Sequence, residues 1–211
     1  MYFNYTKNKS IMQLEGGIKM IISIVGKSGS GKSFITELLC SYSSKIVKLN
    51  IDKVRHYCLT LDEVKEELIK SFSKDIITDY SIDRKKLGDL VFNNQEKMQK
   101  LTDITWYHME EEIDKFIRNN NNKIIILDWL LLPKTKYFNE NDIKILVDAP
   151  FDIRMKRAMK RDSITKEAFE IRDNASMEFN KSDFDYVLEN IDINKTKRKV
   201  RDIYGKSIIS R

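Results

Sequence analysis

One run of residues combines glycine, lysine and serine in an order that suits the binding of a phosphate chain. The run is Gly26-Lys27-Ser28-Gly29-Ser30-Gly31-Lys32-Ser33, and it matches the phosphate-binding loop pattern G-x-x-x-x-G-K-[ST] at every fixed position. Because glycine tolerates a positive φ, the backbone N–H groups of such a loop can close around phosphate oxygens. We expect Lys32 to reach the β- and γ-phosphates of a nucleoside triphosphate and the Ser33 hydroxyl to ligate Mg²⁺.

The residues on either side of the loop favour this interpretation. The run Met20–Val25 is short, apolar and β-branched, as is typical of a buried strand. After the loop, apolar residues recur at helical spacing from Phe34 to Leu39, and the start of a helix adds its positive dipole end at the same place. The alternative is a glycine-rich turn before an ordinary helix. The order of strand, loop and helix favours nucleotide binding.

Two of the aspartates that follow predicted strands are candidates for chemistry. Asp52 follows the strand predicted at residues 45–50, at the edge of a parallel sheet where ligands bind. Its carboxylate could accept the proton of an acceptor hydroxyl or orient that hydroxyl, or it could simply be the N-cap of a helix that begins near Lys53. Asp128 ends the strand predicted from Lys123 and could hold Mg²⁺ directly or through water. A cap or turn role is its alternative.

Arginines on a later segment supply a further candidate for phosphate chemistry. Arg154, Arg157 and Arg161 follow Pro150 at spacings that place their guanidinium groups on one face of a helix. The planar guanidinium donates in pairs to phosphate oxygens, so such a helix could close over a triphosphate as a lid. The alternative is a solvated, charged helix face.

The elements that position these residues predict an α/β protein. We expect a P-loop nucleotide-binding fold with a five-stranded, mostly parallel sheet, whose strands lie near residues 20–25, 45–50, 123–127, 143–147 and 184–188. The segment from Leu61 to Asn119 is charged and periodic, which predicts helices with no strand among them. The predicted parts are an N-terminal extension at 1–19, a nucleotide-binding core at 20–60, 120–150 and 182–211, a helical substrate lobe at 61–119, and a lid with its following helix at 151–181.

Composition narrows the class of protein. Two cysteines in 211 residues are too few for a disulfide framework. No apolar run approaches the roughly 20 residues of a membrane span, and no signal-peptide pattern is seen, so we expect a cytoplasmic protein without a membrane partner.

The net charge of +6 favours anionic partners. We interpret the basic tail from Lys195 to Arg201 as an exposed helix face rather than as a nucleic-acid site. The sequence carries no signal for an oligomeric state.

One further stretch is the most specific of the chain, Ile82-Asp83-Arg84-Lys85-Lys86-Leu87-Gly88-Asp89-Leu90-Val91-Phe92-Asn93-Asn94. It stands beside the phosphate loop, Ile51-Asp52, Val147-Asp148-Ala149-Pro150, Lys156-Arg157, Lys160-Arg161-Asp162 and Asp185-Tyr186-Val187-Leu188-Glu189-Asn190. In these pieces and in their order, the chain resembles the dephospho-coenzyme A kinase family from about Met20 to Asn190.

The resemblance implies ATP-dependent phosphorylation of the ribose 3′-hydroxyl of dephospho-coenzyme A, the last step of coenzyme A synthesis. It implies a nucleotide core, a helical substrate lobe and a lid. By the same resemblance, Asp52 matches the family's catalytic acid, and Arg157 and Arg161 match its lid arginines. With Lys32, these residues form the expected catalytic set for in-line transfer of the γ-phosphoryl group of ATP in the presence of Mg²⁺.

Several positions depart from the family pattern. Trp106-Tyr107 stands where the family has His-Pro, Lys134 where an acid follows the "PLL" segment, and Asn50 where the family has Asp. The glutamine expected near Ser176 is missing. Two alternatives therefore stay open, a kinase for another nucleoside or nucleotide, and a catalytically weakened relative that serves as a nucleotide-dependent binding protein.

Overall fold

The computed structural model describes residues 20–91 and 94–209. The predicted extension at 1–19 therefore lies outside the described residues, as do Phe92 and Asn93 of the family-like stretch. The chain divides into two compact units. The sheet unit consists of the residues up to Leu49 and those from Asn120 onward, and the helical unit consists of Asn50–Asn119.

Strands and helices follow one another along most of the described chain. In chain order the strands are β1 (Met20–Val25), β2 (Ile46–Asn50), β3 (Ile77–Thr78), β4 (Ser81–Ile82), β5 (Ile124–Asp128), β6 (Ile143–Asp148) and β7 (Tyr186–Glu189). The α-helices are α1 (Lys32–Tyr42), α2 (Ile51–Cys58), α3 (Asp62–Phe72), α4 (Arg84–Val91), α5 (Gln95–Asn119), α6 (Lys136–Glu140), α7 (Phe151–Asp162), α8 (Lys166–Asn174) and α9 (Ile193–Ile203). Among the helices of the described ranges, none combines the length and apolar character that a bilayer crossing requires.

The main sheet has five strands in the order β2-β5-β1-β6-β7. Strand β1 lies at its centre and pairs in parallel with β5 and with β6, and β6 pairs in parallel with β7. A central strand covered on both faces reads as an uninterrupted apolar run, and every residue of β1 is buried. The predicted α/β class and five-stranded sheet are confirmed. Parallel pairing also brings the carboxyl ends of β5, β1, β6 and β7 to one edge.

The core of the sheet unit forms where helices cover this sheet. Ile22 and Ile24 of β1 pack in one buried cluster with Ile35 and Leu39 of α1 and with Val200 of α9. These side chains recur at strand and helix periods, so each element presents one apolar face to the others. The predicted exposed basic face of the tail belongs to α9, whose buried side contains Val200 and Ile203.

The helical unit has its own apolar core. Val64 and Leu68 of α3 cluster with Leu87 of α4 and Ile104 of α5. The prediction of an uninterrupted helical segment is wrong at one place, because β3 and β4 form an antiparallel hairpin. Its turn residues Asp79 and Tyr80 have φ values of 48° and 62°, and two successive positive φ angles match the twist of a tight hairpin.

The structure shifts two boundaries that the sequence predicted. Strand β2 ends at Asn50, as predicted, but the next helix begins at Ile51 rather than near Lys53, so Asp52 lies in the first turn of α2. Asn50 is the N-cap, because its side-chain oxygen accepts a hydrogen bond from the N–H of Lys53 at 3.0 Å. The strand predicted at 184–188 is β7, which runs from Tyr186 to Glu189. The helical unit begins at Asn50, whereas the predicted lobe begins at residue 61, and a substrate-binding role for this region stays a prediction.

Candidate active site

The glycine-rich run forms the connection between β1 and α1, and its backbone fits closely against neighbouring elements. Gly29 and Gly31 have φ values of 77° and 97°, in the region that L side chains rarely adopt. A Cβ on Gly29 would lie 2.2 Å from the carbonyl oxygen of Arg154, and one on Gly31 would lie 2.0 Å from Nδ2 of Asn190. Both positions therefore need glycine for two independent reasons, conformation and space.

Several polar groups of the loop are placed as an anion-binding cradle requires. Helix α1 starts at Lys32, and its N-cap residue Gly31 has no side chain to cap the first amides, which are the groups that bind anions at helix N-termini. The ammonium of Lys32 donates to the carbonyl oxygen of Gly26 at 3.0 Å, so it is folded back over the loop. The hydroxyl of Ser30 is buried and makes no hydrogen bond within the described structure. This donor set fits a phosphate chain.

Helix α7 contributes two arginines to the surroundings of the loop. The Nη1 of Arg157 donates to the carbonyl oxygen of Asn190 at 2.9 Å and would lie 3.9 Å from a Cβ on Gly31. The Nη2 of Arg161 donates to the Ser28 hydroxyl at 3.3 Å. The structure thus brings both predicted lid arginines to the phosphate-binding loop.

Asp162 holds the guanidinium of Arg161 in place. The Nε and Nη2 of Arg161 donate to the two carboxylate oxygens of Asp162 at 2.7 and 2.8 Å, and Arg172 of α8 donates to the same carboxylate. The hydrogen bond from Arg161 lowers the pKa of Asp162 well below its usual range, and the bond to Asp162 raises the pKa of Arg161. Both groups are therefore charged at any pH at which the protein would work.

Arg154 differs in burial and in partners from Arg157 and Arg161, although the spacing predicts one helix face for all three. Its side chain is buried, its Nε donates to the carbonyl oxygen of Ala149 at 3.0 Å, and its guanidinium makes a two-pronged ion pair with Asp173 of α8. The hydrogen bonds from Arg154 lower the pKa of Asp173. Arg154 therefore joins α7 to α8, and it is not available to a phosphate.

The two predicted magnesium ligands are Asp128, on the strand next to β1, and Ser33, at the end of the glycine loop. Asp128 is buried at the carboxyl end of β5, where it stands opposite Ile24 of β1 in the parallel register. Ser33 is exposed in the first turn of α1. A carboxylate and a hydroxyl are hard oxygen donors of the kind that Mg²⁺ prefers, so the chemistry of these residues fits that ion.

Asp52 belongs to the helical unit. Its carboxylate is half exposed and lies 3.5 Å from the guanidinium of Arg55, one turn later on α2. The interpretation of Asp52 as a helix cap is wrong, because Asn50 is the cap.

Sequence reasoning missed three residues that shape this site. Asn190, Asp162 and Asp173 were given no role, although the first two lie within family-like stretches. Their partners are Ser30, Arg161 and Arg154. Asp162 follows its arginine directly in the chain, and this adjacency was a usable signal. The contact of Asn190 with Ser30 joins residues too far apart in the chain for any local pattern to reveal it.

Fold and site together define a P-loop nucleotide-binding protein with an arginine-bearing helix beside the loop. The family model for dephospho-CoA kinase matches residues 20–195. A dephospho-CoA kinase of Aquifex aeolicus is 33% identical over 189 residues, which cover 87% of this chain and 95% of that protein. The chain belongs to the dephospho-CoA kinase family.

Solved structures show the same fold. The Thermus thermophilus protein TT1252 superposes on this chain with a TM-score of 0.77 at 24% sequence identity. The aligned region covers 90% of this chain and 98% of TT1252. A dephospho-CoA kinase from Campylobacter jejuni superposes with a TM-score of 0.57 at 21% identity, over 89% of this chain and 97% of its own.

We predict that Gly29→Ala destabilises the protein and weakens ATP binding, because the new methyl group meets the Arg154 carbonyl oxygen at a positive φ. The expected loss is about 2–4 kcal/mol of unfolding free energy, measured by urea denaturation, with ATP affinity measured by calorimetry. Gly88→Ala is the matched control, since Gly88 lies inside α4 and, among the described residues, no atom outside its chain neighbours and the adjacent helix backbone lies within 4 Å of the new methyl group. It should stabilise by up to about 1 kcal/mol. Equal stability of the two variants would contradict the close packing of the loop.

We predict that Asp173→Asn lowers the unfolding free energy by about 3–5 kcal/mol at pH 7, because it leaves the buried Arg154 without its counter-ion. The folded-state pKa of Asp173 is lowered, so its stabilisation is complete above the unfolded value of about 3.9 and is lost as the pH falls through the folded value. The difference between wild type and variant should therefore shrink below about pH 4.

Urea denaturation across this pH range measures that difference. Glu170→Gln is the matched control on the same helix, since Glu170 forms a solvent-exposed pair with Lys166 at 3.7 Å, and it should cost less than about 0.5 kcal/mol. A gap between wild type and Asp173→Asn that stays constant down to pH 2.5 would contradict the ion-pair account.

Proposed function

We propose that this protein transfers the γ-phosphoryl group of ATP to the ribose 3′-hydroxyl of dephospho-CoA, the last step of coenzyme A biosynthesis. The observation that carries the proposal is the family match over residues 20–195, which includes the glycine loop and the arginines beside it. The loop geometry supports ATP as the phosphoryl donor.

The loop residues from Gly26 to Ser33 hold the triphosphate in this proposal. Backbone amides of the loop and of the first turn of α1 donate to phosphate oxygens, and the ammonium of Lys32 moves from the Gly26 carbonyl oxygen to the β- and γ-phosphates. Because the transition state of phosphoryl transfer is loose, positioning and charge neutralisation contribute most to the rate. Ser33 and Asp128 would hold Mg²⁺, which neutralises charge on the phosphates when bound.

Arg157 and Arg161 stabilise the charge of the transferred group from the side of α7. Residues 151–181 would then act as the lid, with Arg154 and Asp173 fixing its two helices to each other. Asp52 orients the acceptor hydroxyl or accepts its proton, and residues 61–119 form the substrate lobe. We further propose a cytoplasmic location, which the unpaired Cys40 and Cys58 support.

The acceptor is tested by measuring ADP release from ATP and Mg²⁺ with dephospho-CoA and with a panel of nucleosides and nucleotides. We expect dephospho-CoA to be the preferred acceptor and mass spectrometry to find one added phosphate at its ribose 3′-hydroxyl. Lys32→Ala should lower kcat by about a hundredfold or more, whereas Lys48→Ala, which removes an exposed amine paired with Glu37, should leave it unchanged. Faster turnover of a nucleoside or nucleotide would overturn the proposed acceptor.

Asp52→Asn should lower kcat far more than it weakens ATP binding, because its carboxylate acts on the acceptor rather than on the nucleotide. Steady-state kinetics and calorimetry separate the two effects. Asp62→Asn is the matched control, since Asp62 also lies in the first turn of a helix and pairs with a basic residue three positions later. An unchanged kcat for Asp52→Asn would remove Asp52 from the mechanism.

A further inference from the structure

Asn190 lies directly after β7, and only 5% of its surface is exposed. It makes hydrogen bonds to three parts of the sheet unit. Its backbone N–H donates to the carbonyl oxygen of Asp148 at 2.8 Å, which extends the pairing of β6 with β7 by one step. Its side-chain Nδ2 donates to the carbonyl oxygen of Ser30 at 2.9 Å. Its own carbonyl oxygen accepts from Nη1 of Arg157 at 2.9 Å. Asn190 therefore connects the glycine loop with the edge of the sheet and with α7 through hydrogen bonds.

The bond from Asn190 to Ser30 fixes the direction of a peptide group inside the loop. In a trans peptide the C=O and the following N–H point in opposite directions. Because the Ser30 carbonyl oxygen is directed at Asn190, the N–H of Gly31 is directed away from it. An amide held in a fixed direction before the ligand arrives does not have to reorganise when it binds an anion.

The approach of Asn190 depends on the residue that follows Ser30. A Cβ on Gly31 would come within 2.0 Å of Nδ2 of Asn190, so a side chain at this position would displace the amide. The glycine that lets the loop turn is thus also the glycine that admits Asn190. The position of the Asn190 amide therefore depends on glycine at position 31.

We propose that Asn190 is a positioning residue for ATP, which orients the Ser30–Gly31 peptide so that the Gly31 N–H faces the phosphate chain. The proposal rests on the proposed function, since it assigns a residue to the site that would bind ATP. Asn190 acts through the loop backbone and does not itself touch the reacting atoms.

The test compares Asn190→Leu with Asn141→Leu. Leucine keeps the size of the side chain and removes the donor, and the backbone oxygen that accepts from Arg157 remains. Asn141 is the matched control, because its side-chain amide also donates within the sheet unit, to the hydroxyl of Ser23 on β1. Each variant is assayed for ATP affinity by calorimetry with Mg²⁺, for KM of dephospho-CoA, and for Tm.

We expect Asn190→Leu to raise the Kd for ATP about five- to tenfold, the effect of losing one buried hydrogen bond at the site, while the KM for dephospho-CoA changes less than about twofold. Asn141→Leu should lower Tm and leave the Kd for ATP within about twofold of wild type. If Asn190→Leu does not fold, Asn190→Ala is read in the same way, since it also removes the donor.

Two outcomes separate this inference from the proposed function. If the Asn190 variants lower Tm but bind ATP as tightly as wild type, Asn190 is a purely structural residue and the inference is overturned. If wild type binds ATP but does not phosphorylate dephospho-CoA, the proposed acceptor fails, and the comparison of ATP affinities still decides the role of Asn190.

Discussion

The site depends on the close approach of the glycine loop to the backbone and side chains around it. Gly29 lies against the carbonyl of Arg154, and Gly31 lies against the side chain of Asn190, at distances that no Cβ could share. These contacts place the loop between the carboxyl edge of the sheet and the start of α7. These close contacts fix the backbone of the loop before a ligand arrives, so its amides need little reorganisation to bind an anion.

The arginines of α7 show how one helix serves both structure and chemistry. Arg154 is buried and neutralised by Asp173, so it joins α7 to α8. The next two arginines, Arg157 and Arg161, lie beside the loop and are oriented by Asn190 and Asp162. Since a buried charge needs a partner and an exposed one does not, the same residue type takes different roles according to its depth. The ion pair of Arg154 thereby sets the position of the helix that carries the other two.

The sequence predicted the sheet and the loop well because their signals are local. The β-branched run of β1, the spacing of Gly26, Gly31 and Lys32, and the periodicity of α1 each lie within a few residues. The helix cap at Asn50 and the β3–β4 hairpin were missed. Asn50 looked like a family departure, and the positive φ angles of Asp79 and Tyr80 have no glycine signal in the sequence.

The hydrogen bonds and ion pairs between distant residues of the site could not be predicted from the sequence, for a different reason. Spacing alone placed Arg154 with Arg157 and Arg161, but burial is decided by the packing of α7 on α8, which no spacing encodes. Asn190 can contact Ser30 because the parallel strands β1, β6 and β7 all end at the same edge of the sheet. Such contacts follow from the strand order, and the strand order is a property of the whole sheet.

The central claim is that the backbone of this loop holds the triphosphate. Its most direct measurement is the amide NMR spectrum of the ¹⁵N-labelled protein during titration with a non-hydrolysable ATP analogue and Mg²⁺. The account predicts large shifts for the amides of Gly29, Gly31, Lys32 and Ser33, with the amide of Gly88 in α4 unchanged. Unchanged chemical shifts of these loop amides while the analogue binds would contradict the claim that the loop holds the triphosphate.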